Sequence, residues 1–336
     1  LKGADYRVYS QWTSKADTRL AGSTPADDWQ AFTSGARLDW TRGVNDWTID
    51  GSVKAGDGRT MWKLPSSAAP DLTPRTDVAS SFHTGHVLGR WTRRGGGGST
   101  LQVQSSATVL RRTDIATVAE DTFDADLHYH RLFAQRHDVV AGGGYRFTKV
   151  TVGDTFAITF EPRVAHAAVT SMFVQDDMAL AAGVKLSLGS KFEHDALTGW
   201  GVQPTARLMW TASPSHHVWL AASRALRTPS FADVSVRVRA IAIPAPSLTV
   251  FGTRANPDYT AEVLNDLEAG YRFEFGSLVT VDTTVFRGRY NGLPSAEPIA
   301  PWKTGTVTLL GDAVHNMTPF RGMGANMALR DAAALR

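Results

Sequence analysis

Along most of the chain, alternate positions are apolar and the positions between them are polar. In residues 262–275, Leu267, Ala269, Tyr271, Phe273 and Phe275 share one parity, while Asp266, Glu268, Arg272 and Glu274 share the other. Successive side chains of a β-strand point to opposite faces, so a period of two predicts a strand with one apolar and one polar face. The same pattern sets Val279, Val281 and Val285 against Thr280, Asp282 and Thr284. Upstream, Trp47, Ile49, Val53 and Ala55 oppose Asp46, Thr48, Asp50 and Lys54, and Phe123, Ala125, Leu127 and Tyr129 oppose Asp124, Asp126, His128 and His130. Segments 80–92 and 168–180 alternate poorly.

Over the whole length the pattern predicts thirteen strands, at about 5–13, 30–41, 45–56, 80–92, 99–112, 122–134, 136–148, 168–180, 184–195, 202–212, 216–225, 262–275 and 277–290. Soluble strands average about five or six residues. These are longer, and match the roughly nine to eleven that a tilted strand needs to cross a bilayer. Short connections at 42–44, 93–98, 181–183 and 213–215 alternate with longer ones at 14–29, 57–79, 113–121, 149–167 and 226–261. That rhythm places tight turns at one rim and elaborate loops at the other, as in outer-membrane barrels, with lipid outside and a wet lumen inside. A soluble sandwich with its apolar faces packed together is the alternative on pattern alone. Trp12, Trp40, Trp91 and Trp210 read as an interfacial girdle in the first case and as core aromatics in the second.

Composition changes this picture little. A hydrophobic share of 43% and a charged share of 20% are ordinary for a folded protein. No apolar run is long enough for a membrane-spanning helix, which has no bearing on a barrel. The net charge of +3 comes from scattered Lys and Arg, so no nucleic-acid footprint is expected. The absence of cysteine excludes thiol catalysis and disulfides. The alternating pattern is already under way at Tyr6, Val8 and Trp12 with no signal peptide before it, so the chain is expected to open inside a domain.

Candidate chemistry is sparse. His128 and His130 lie on one face beside Asp124 and Asp126 but lack an evident third metal ligand, and a lumenal polar cluster is the plainer reading. His216 and His217 point to opposite faces. The glycine run between Arg93 and Thr100 lacks the ending of a phosphate loop and is expected to be a hairpin turn. Gly142, Gly143 and Gly144 lie inside a strand and imply close packing or a bend. Ser223 and Ser230 have no nearby base, so hydrolase chemistry is not expected.

The run from Trp219 to Ser230 (WLAASRALRTPS), Asn256-Pro257, and Leu267-Glu268-Ala269-Gly270-Tyr271-Arg272 resemble the barrel of TonB-dependent outer-membrane receptors. So do Arg136 to Arg146 (RHDVVAGGGYR) and Gly189 to His194 (GSKFEH). The resemblance covers about residues 3–293. It implies residence in the bacterial outer membrane and uptake of a ferric siderophore or similarly scarce ligand, energised by the TonB complex. The family's plug and TonB box are not found before Leu1, nor its later strands, so a partial, truncated and non-functional receptor is among the expectations.

After Leu293 the pattern ends. Pro294, Pro298 and Pro301 punctuate a junction over 294–300, followed by a short apolar strand at 306–310 and an Ala- and Leu-rich helix at 327–335. Residues 301–336 are similar to the second FAD-contacting motif of flavin-dependent aromatic hydroxylases. The resemblance implies that Asp312, Pro319, Gly322, Gly324 and Asn326 would contact FAD. Asp312 would accept from ribityl or ribose hydroxyls, and the glycines would let the backbone approach. No glycine-rich dinucleotide fingerprint follows a strand near the start, so no enzymatic activity is expected of the tail.

The expected fold is therefore all-β: a partial antiparallel transmembrane β-barrel of about thirteen long strands over 1–293, plus a short C-terminal strand-helix unit at 301–336. The expected function is a TonB-dependent receptor, with a FAD-dependent monooxygenase fragment and a soluble β-rich binding protein as alternatives. Outer-membrane lipid and a siderophore-like ligand are the expected partners, and no cofactor is expected beyond FAD at the tail motif.

Overall fold

A computed structural model describes residues 3–18, 27–66, 72, 74–243, 249–276, 278–295, 303–304 and 307–308. In chain order its strands are Ala4–Lys15 (β1), Trp29–Arg42 (β2), Asn45–Lys63 (β3), Arg75–Arg94 (β4), Thr100–Thr113 (β5), Thr117–Phe133 (β6), His137–Gly153 (β7), Ile158–Phe160 (β8) and Val164–Ala181 (β9). Val184–Asp195 (β10), Gly199–Ser213 (β11) and His216–Arg227 (β12) follow, then one short helix, Phe231–Ser235 (α1). Val236–Ile243 (β13), Thr249–Arg254 (β14), Glu262–Phe275 (β15), Val279–Asn291 (β16), Lys303–Thr304 (β17) and Val307–Thr308 (β18) complete the order.

Thirteen of these strands form one sheet in the order β1-β2-β3-β4-β5-β6-β7-β9-β10-β11-β12-β15-β16. Each corresponds to a strand that the alternation predicts. β1 and β16 are its two edges, so the sheet is not closed on itself. Several strands run further than expected, because the backbone ladder continues past the regularly alternating stretch. β3 and β4 stay paired out to Lys63 opposite Arg75, and β5 and β6 out to Thr113 opposite Thr117. Connections expected at 57–79 and 113–121 shrink to 64–74 and 114–116. Short and long connections therefore alternate less strictly than the sequence suggests.

Register carries the apolar parity from strand to strand. Leu127, Gly143, Met172, Phe192 and Val202 lie opposite one another in turn across β6, β7, β9, β10 and β11. Leu186, Leu208, Leu220 and Ala269 do the same across β10, β11, β12 and β15. Near the short-turn rim Trp40, Trp47 and Trp91 stack in a row, with ring centroids 5.8 and 5.9 Å apart. No second layer covers this face among the described residues, and Val53, Met172 and Leu220 are each more than half exposed. The two-sheet sandwich is thereby corrected: its core would need a facing sheet. Charged outward residues bound the apolar band on β6 (Asp121 and Arg131), β7 (His137 and Lys149) and β9 (His166 and Asp176). Between them lie about nine to eleven residues, the length that crosses a bilayer at a tilt.

The poorly alternating segments have a cause on the polar face. Phe82 lies opposite Gly56, Phe173 opposite Gly142, Tyr9 opposite Gly35 and Trp219 opposite Gly270. A Cβ at any of these glycines would collide with the ring facing it. Large rings on the polar face thus fill space that glycine leaves, and they blur the alternation in sequence.

The chain divides into two compact units, Leu1–Arg289 and Tyr290–Arg336. In the second, Lys303 and Thr304 pair antiparallel with Thr308 and Val307. The strand expected at 306–310 is thus described only at Val307–Thr308, and the expected helix at 327–335 lies outside the described residues. No described helix is long and apolar enough to cross a membrane.

Candidate functional site

The polar face of the thirteen-stranded sheet carries paired charges. Arg37 donates to Asp39 at 2.6 Å, and the Thr48 hydroxyl donates to the same carboxylate. Arg146 donates to Asp124 at 2.6 Å, Arg90 to Gln104 at 2.8 Å and Arg272 to Asp282 at 2.6 Å. Lys191 pairs with Glu193, and Arg227 with Glu262. Pairs open to water on one side, such as these, add little stability, since water screens them and ordering long side chains costs entropy. Their consequence is a face that stays wet and presents both signs of charge.

One cavity on this face, about 320 Å³, is lined by Asp124, Asp126, Arg146, Ser171, Lys191 and Glu193, with Gly144 among them. A Cβ at Gly144 would sit 2.8 Å from the Asp126 carboxylate, so glycine there keeps the space open. Thr228 also lines the cavity, from the start of the long 228–261 connection.

The described part of that connection is structured at Phe231–Ser235, Val236–Ile243 and Thr249–Arg254, which the sequence reading missed. Ser230 and Asp233 form a capping box at the start of α1. β13 pairs with β14 and also with β8, placing Val236 opposite Phe160. Phe160 stacks on Phe231 at 5.8 Å, Arg237 pairs with Glu161, and Arg239 donates to the Phe156 carbonyl at 2.7 Å. Ala157 and Ser235 are buried here, as are Val152 and Ala116 at the same rim. The described buried side chains thus gather at the loops, where a packed core replaces lipid and lumen. The available cues were Ser230-x-x-Asp233 and the alternation of Val236 and Val238 with Arg237 and Arg239.

Loop carboxylates and phenols respond to these contacts. The Phe160 amide, with Arg163, holds the Asp154 carboxyl below the usual carboxylate range, against some opposing desolvation. The hydroxyl and amide of Thr18, with Lys15, hold Asp27 well below that range. Burial first, and the neighbouring Glu262 second, push the Tyr259 phenol up.

The other candidates fall as follows. His130 bonds Asp138 at 2.5 Å and the His128 ring packs on Phe173, so the two histidines engage different neighbours. No group of three or more metal-binding side chains occurs among the described residues. His216 and His217 point apart, the first to the Tyr271 hydroxyl and the second to Thr211. Gly96–Gly98 form a single 3-10 turn between β4 and β5, the expected hairpin connection. Asp312, Pro319, Gly322, Gly324 and Asn326 lie outside the described residues.

The family description "TonB dependent receptor-like, beta-barrel" matches residues 2–321. The chain belongs to this TonB-dependent receptor β-barrel family. Its sheet is similar to that of the siderophore receptor PirA from Pseudomonas aeruginosa, with a TM-score of 0.66 and 13% identity over 94% of this chain and 53% of that one. The ferric enterobactin receptor PfeA from Pseudomonas aeruginosa, solved as a mutant with enterobactin, gives 0.62 and 13% over 90% and 52%. The iron transporter FrpB from Neisseria meningitidis gives 0.64 and 10% over 89% and 51%. At these identities the likeness is one of fold, and this chain spans about half the length of each receptor. Short segments are also similar to fungal FAD-dependent monooxygenases. JanM of Penicillium janthinellum is 65% identical over 34 residues, 10% of this chain and 7% of that protein. Trt8 of Aspergillus terreus is 37% identical over 73 residues, 22% and 16% respectively.

Proposed function

We propose that this chain forms barrel wall in a bacterial outer-membrane receptor that takes up a ferric siderophore or a similarly scarce ligand through the TonB complex. The observation that carries the reading is the family match over residues 2–321, laid on a sheet whose outward face is apolar and whose inward face is charged. PirA is a siderophore receptor and PfeA a ferric enterobactin receptor. The paired inward charges and the cavity at Asp124, Arg146 and Lys191 suit a hydrated path for a polar ligand. The test is uptake of radiolabelled ferric enterobactin by cells that lack their own siderophore receptors and express this chain with a secretion signal. TonB-dependent accumulation supports the reading. Accumulation no greater than in cells without the chain contradicts it.

We further infer that residues 301–336 derive from a FAD-contacting segment, with Asp312, Pro319, Gly322, Gly324 and Asn326 at the cofactor positions. The short, high-identity monooxygenase matches favour this origin, although the family match runs on to residue 321 and overlaps the tail. No catalysis is assigned to it, since the matched segment is 10% of this chain and 7% of the monooxygenase. Purified chain passed over a desalting column after incubation with FAD is expected to show no visible flavin band. A retained band would contradict the cofactor-free reading.

A further inference from the structure

In the cavity on the polar face, the carboxylates of Asp124, Asp126 and Glu193 outnumber the cations Arg146 and Lys191. Both cations are already engaged, since Arg146 donates to Asp124 at 2.6 Å and Lys191 pairs with Glu193. Asp126 is left over. Among the described residues it has no hydrogen bond or ion pair, and neither do the hydroxyls of Ser171 and Thr228, which line the same cavity.

Gly144 gathers two of these groups around one space. It lies opposite Asp126 in the register of β6 with β7, and opposite Ser171 in that of β7 with β9. A Cβ on Gly144 would stand 2.8 Å from Asp126 Oδ1 and 3.4 Å from Ser171 Oγ, so a carboxylate and a hydroxyl border the volume that the glycine leaves. The loop side of the cavity is held in place as well. Thr228 follows Arg227, which pairs with Glu262 at the start of β15 and with Asp233 of α1, and the Tyr259 hydroxyl donates to Glu262 at 2.9 Å.

These groups are all acceptors, and one of them carries a charge. A protonated amine offers the complement: three N–H donors, no acceptor and a single positive charge. Asp126 meets its charge, and the two hydroxyls accept from its remaining hydrogens. An anion would face an unpaired carboxylate, and a neutral hydroxyl would forgo the gain of a charge-assisted bond. At about 320 Å³ the cavity is at the lower end of the range for small-molecule pockets, so it suits one arm of a ligand.

We propose that Asp126 and Ser171, with Thr228 at the loop side, form a lumenal subsite for a protonated amine on a ligand in transit. The proposal rests on the reading of this chain as barrel wall of an uptake receptor, and it names a chemical group that the reading leaves open.

The test uses the full chain, expressed with a secretion signal and extracted in mild detergent. The probes are ferric desferrioxamine B, whose pendant arm ends in a primary amine, and its N-acetylated form, which lacks that charge. Equilibrium dialysis with radioiron reads their retention, and a heat-modifiability gel reads the folded wall. The native chain is expected to hold the amine form about tenfold more tightly than the acetylated one, the worth of one hydrogen-bonded charge pair open to water on one side. Asp126→Asn should abolish that preference, and Ser171→Ala should lower it about threefold. Gly144→Ala, whose added Cβ enters the same space, should weaken retention of the amine form. Asp177→Asn, on the inward parity of β9 but outside the cavity, should leave the preference unchanged. Equal retention of the two probes by a heat-modifiable native chain would overturn the site alone, as would a preference that survives Asp126→Asn. A chain with no heat-modifiable form would overturn the barrel-wall reading together with the site.

Discussion

At the scale of residues, the polar face is shaped by glycines set beneath larger groups. Gly142 and Gly144 lie two apart on β7 and face different obstacles. A Cβ at Gly142 would come within 2.3 Å of the Leu127 carbonyl and 2.7 Å of the Phe173 ring, neither of which moves cheaply. At Gly144 the close atom is the end of the Asp126 side chain, which can rotate away. Gly142→Ala is therefore expected to cost about 1–3 kcal/mol, the usual range for overpacking. Gly144→Ala should cost far less and narrow the charged cavity instead. Urea unfolding of the two variants in the same detergent checks the order. Asp154 supplies a pH dependence. Its folded pKa lies below the ordinary aspartate value, so its contribution is present above the unfolded pKa and is lost as pH falls through the folded one. Protection of the 154–163 amides, taken relative to the intrinsic exchange rate at each pH, should therefore fall below about pH 4, and Asp154→Asn should remove that dependence. These contacts were out of reach of the sequence, because Gly142 and Phe173, or Asp154 and Phe160, meet only through register and loop packing.

At the scale of elements, the strands were legible because lipid and water impose a period of two over long stretches. All thirteen strands of the large sheet have predicted counterparts, and the face of Phe123, Ala125 and Leu127 is continued by their cross-strand partners. Strand ends were less legible. Beyond the bilayer the outward positions need not be apolar, so β3 continues with Asp57 and Arg59 on that parity while its pairing to β4 runs on. β8, β13, β14 and α1 were missed for a related reason: they are short and pack on one another, outside the two-solvent environment that marks the rest. The outward face offers a prediction of its own. Leu127→Arg, in the middle of the apolar band of β6, should destabilise the folded form in bilayers by about 2–4 kcal/mol, as charges at the midplane of membrane barrels do. The neighbouring inward change His128→Arg should cost little, and equilibrium unfolding from phospholipid bilayers separates the two.

At the scale of the whole molecule, the sheet is a membrane wall with one face to lipid and the other to a wet lumen. The lack of a covering layer over Val53, Met172 and Leu220 then follows from the solvent they meet. The FAD-motif residues belong to the other compact unit and play no part in this claim. The chain contains no cysteine, so single cysteines can be introduced one at a time without background. The most direct measurement places them at positions 122–128 of β6, labels each with an environment-sensitive fluorophore, and reads quenching by lipid-borne and by water-soluble quenchers in bilayers. Positions 123, 125 and 127 are expected to be quenched from the lipid, and 122, 124, 126 and 128 from water. Uniform access to the water-soluble quencher across all seven positions would contradict it.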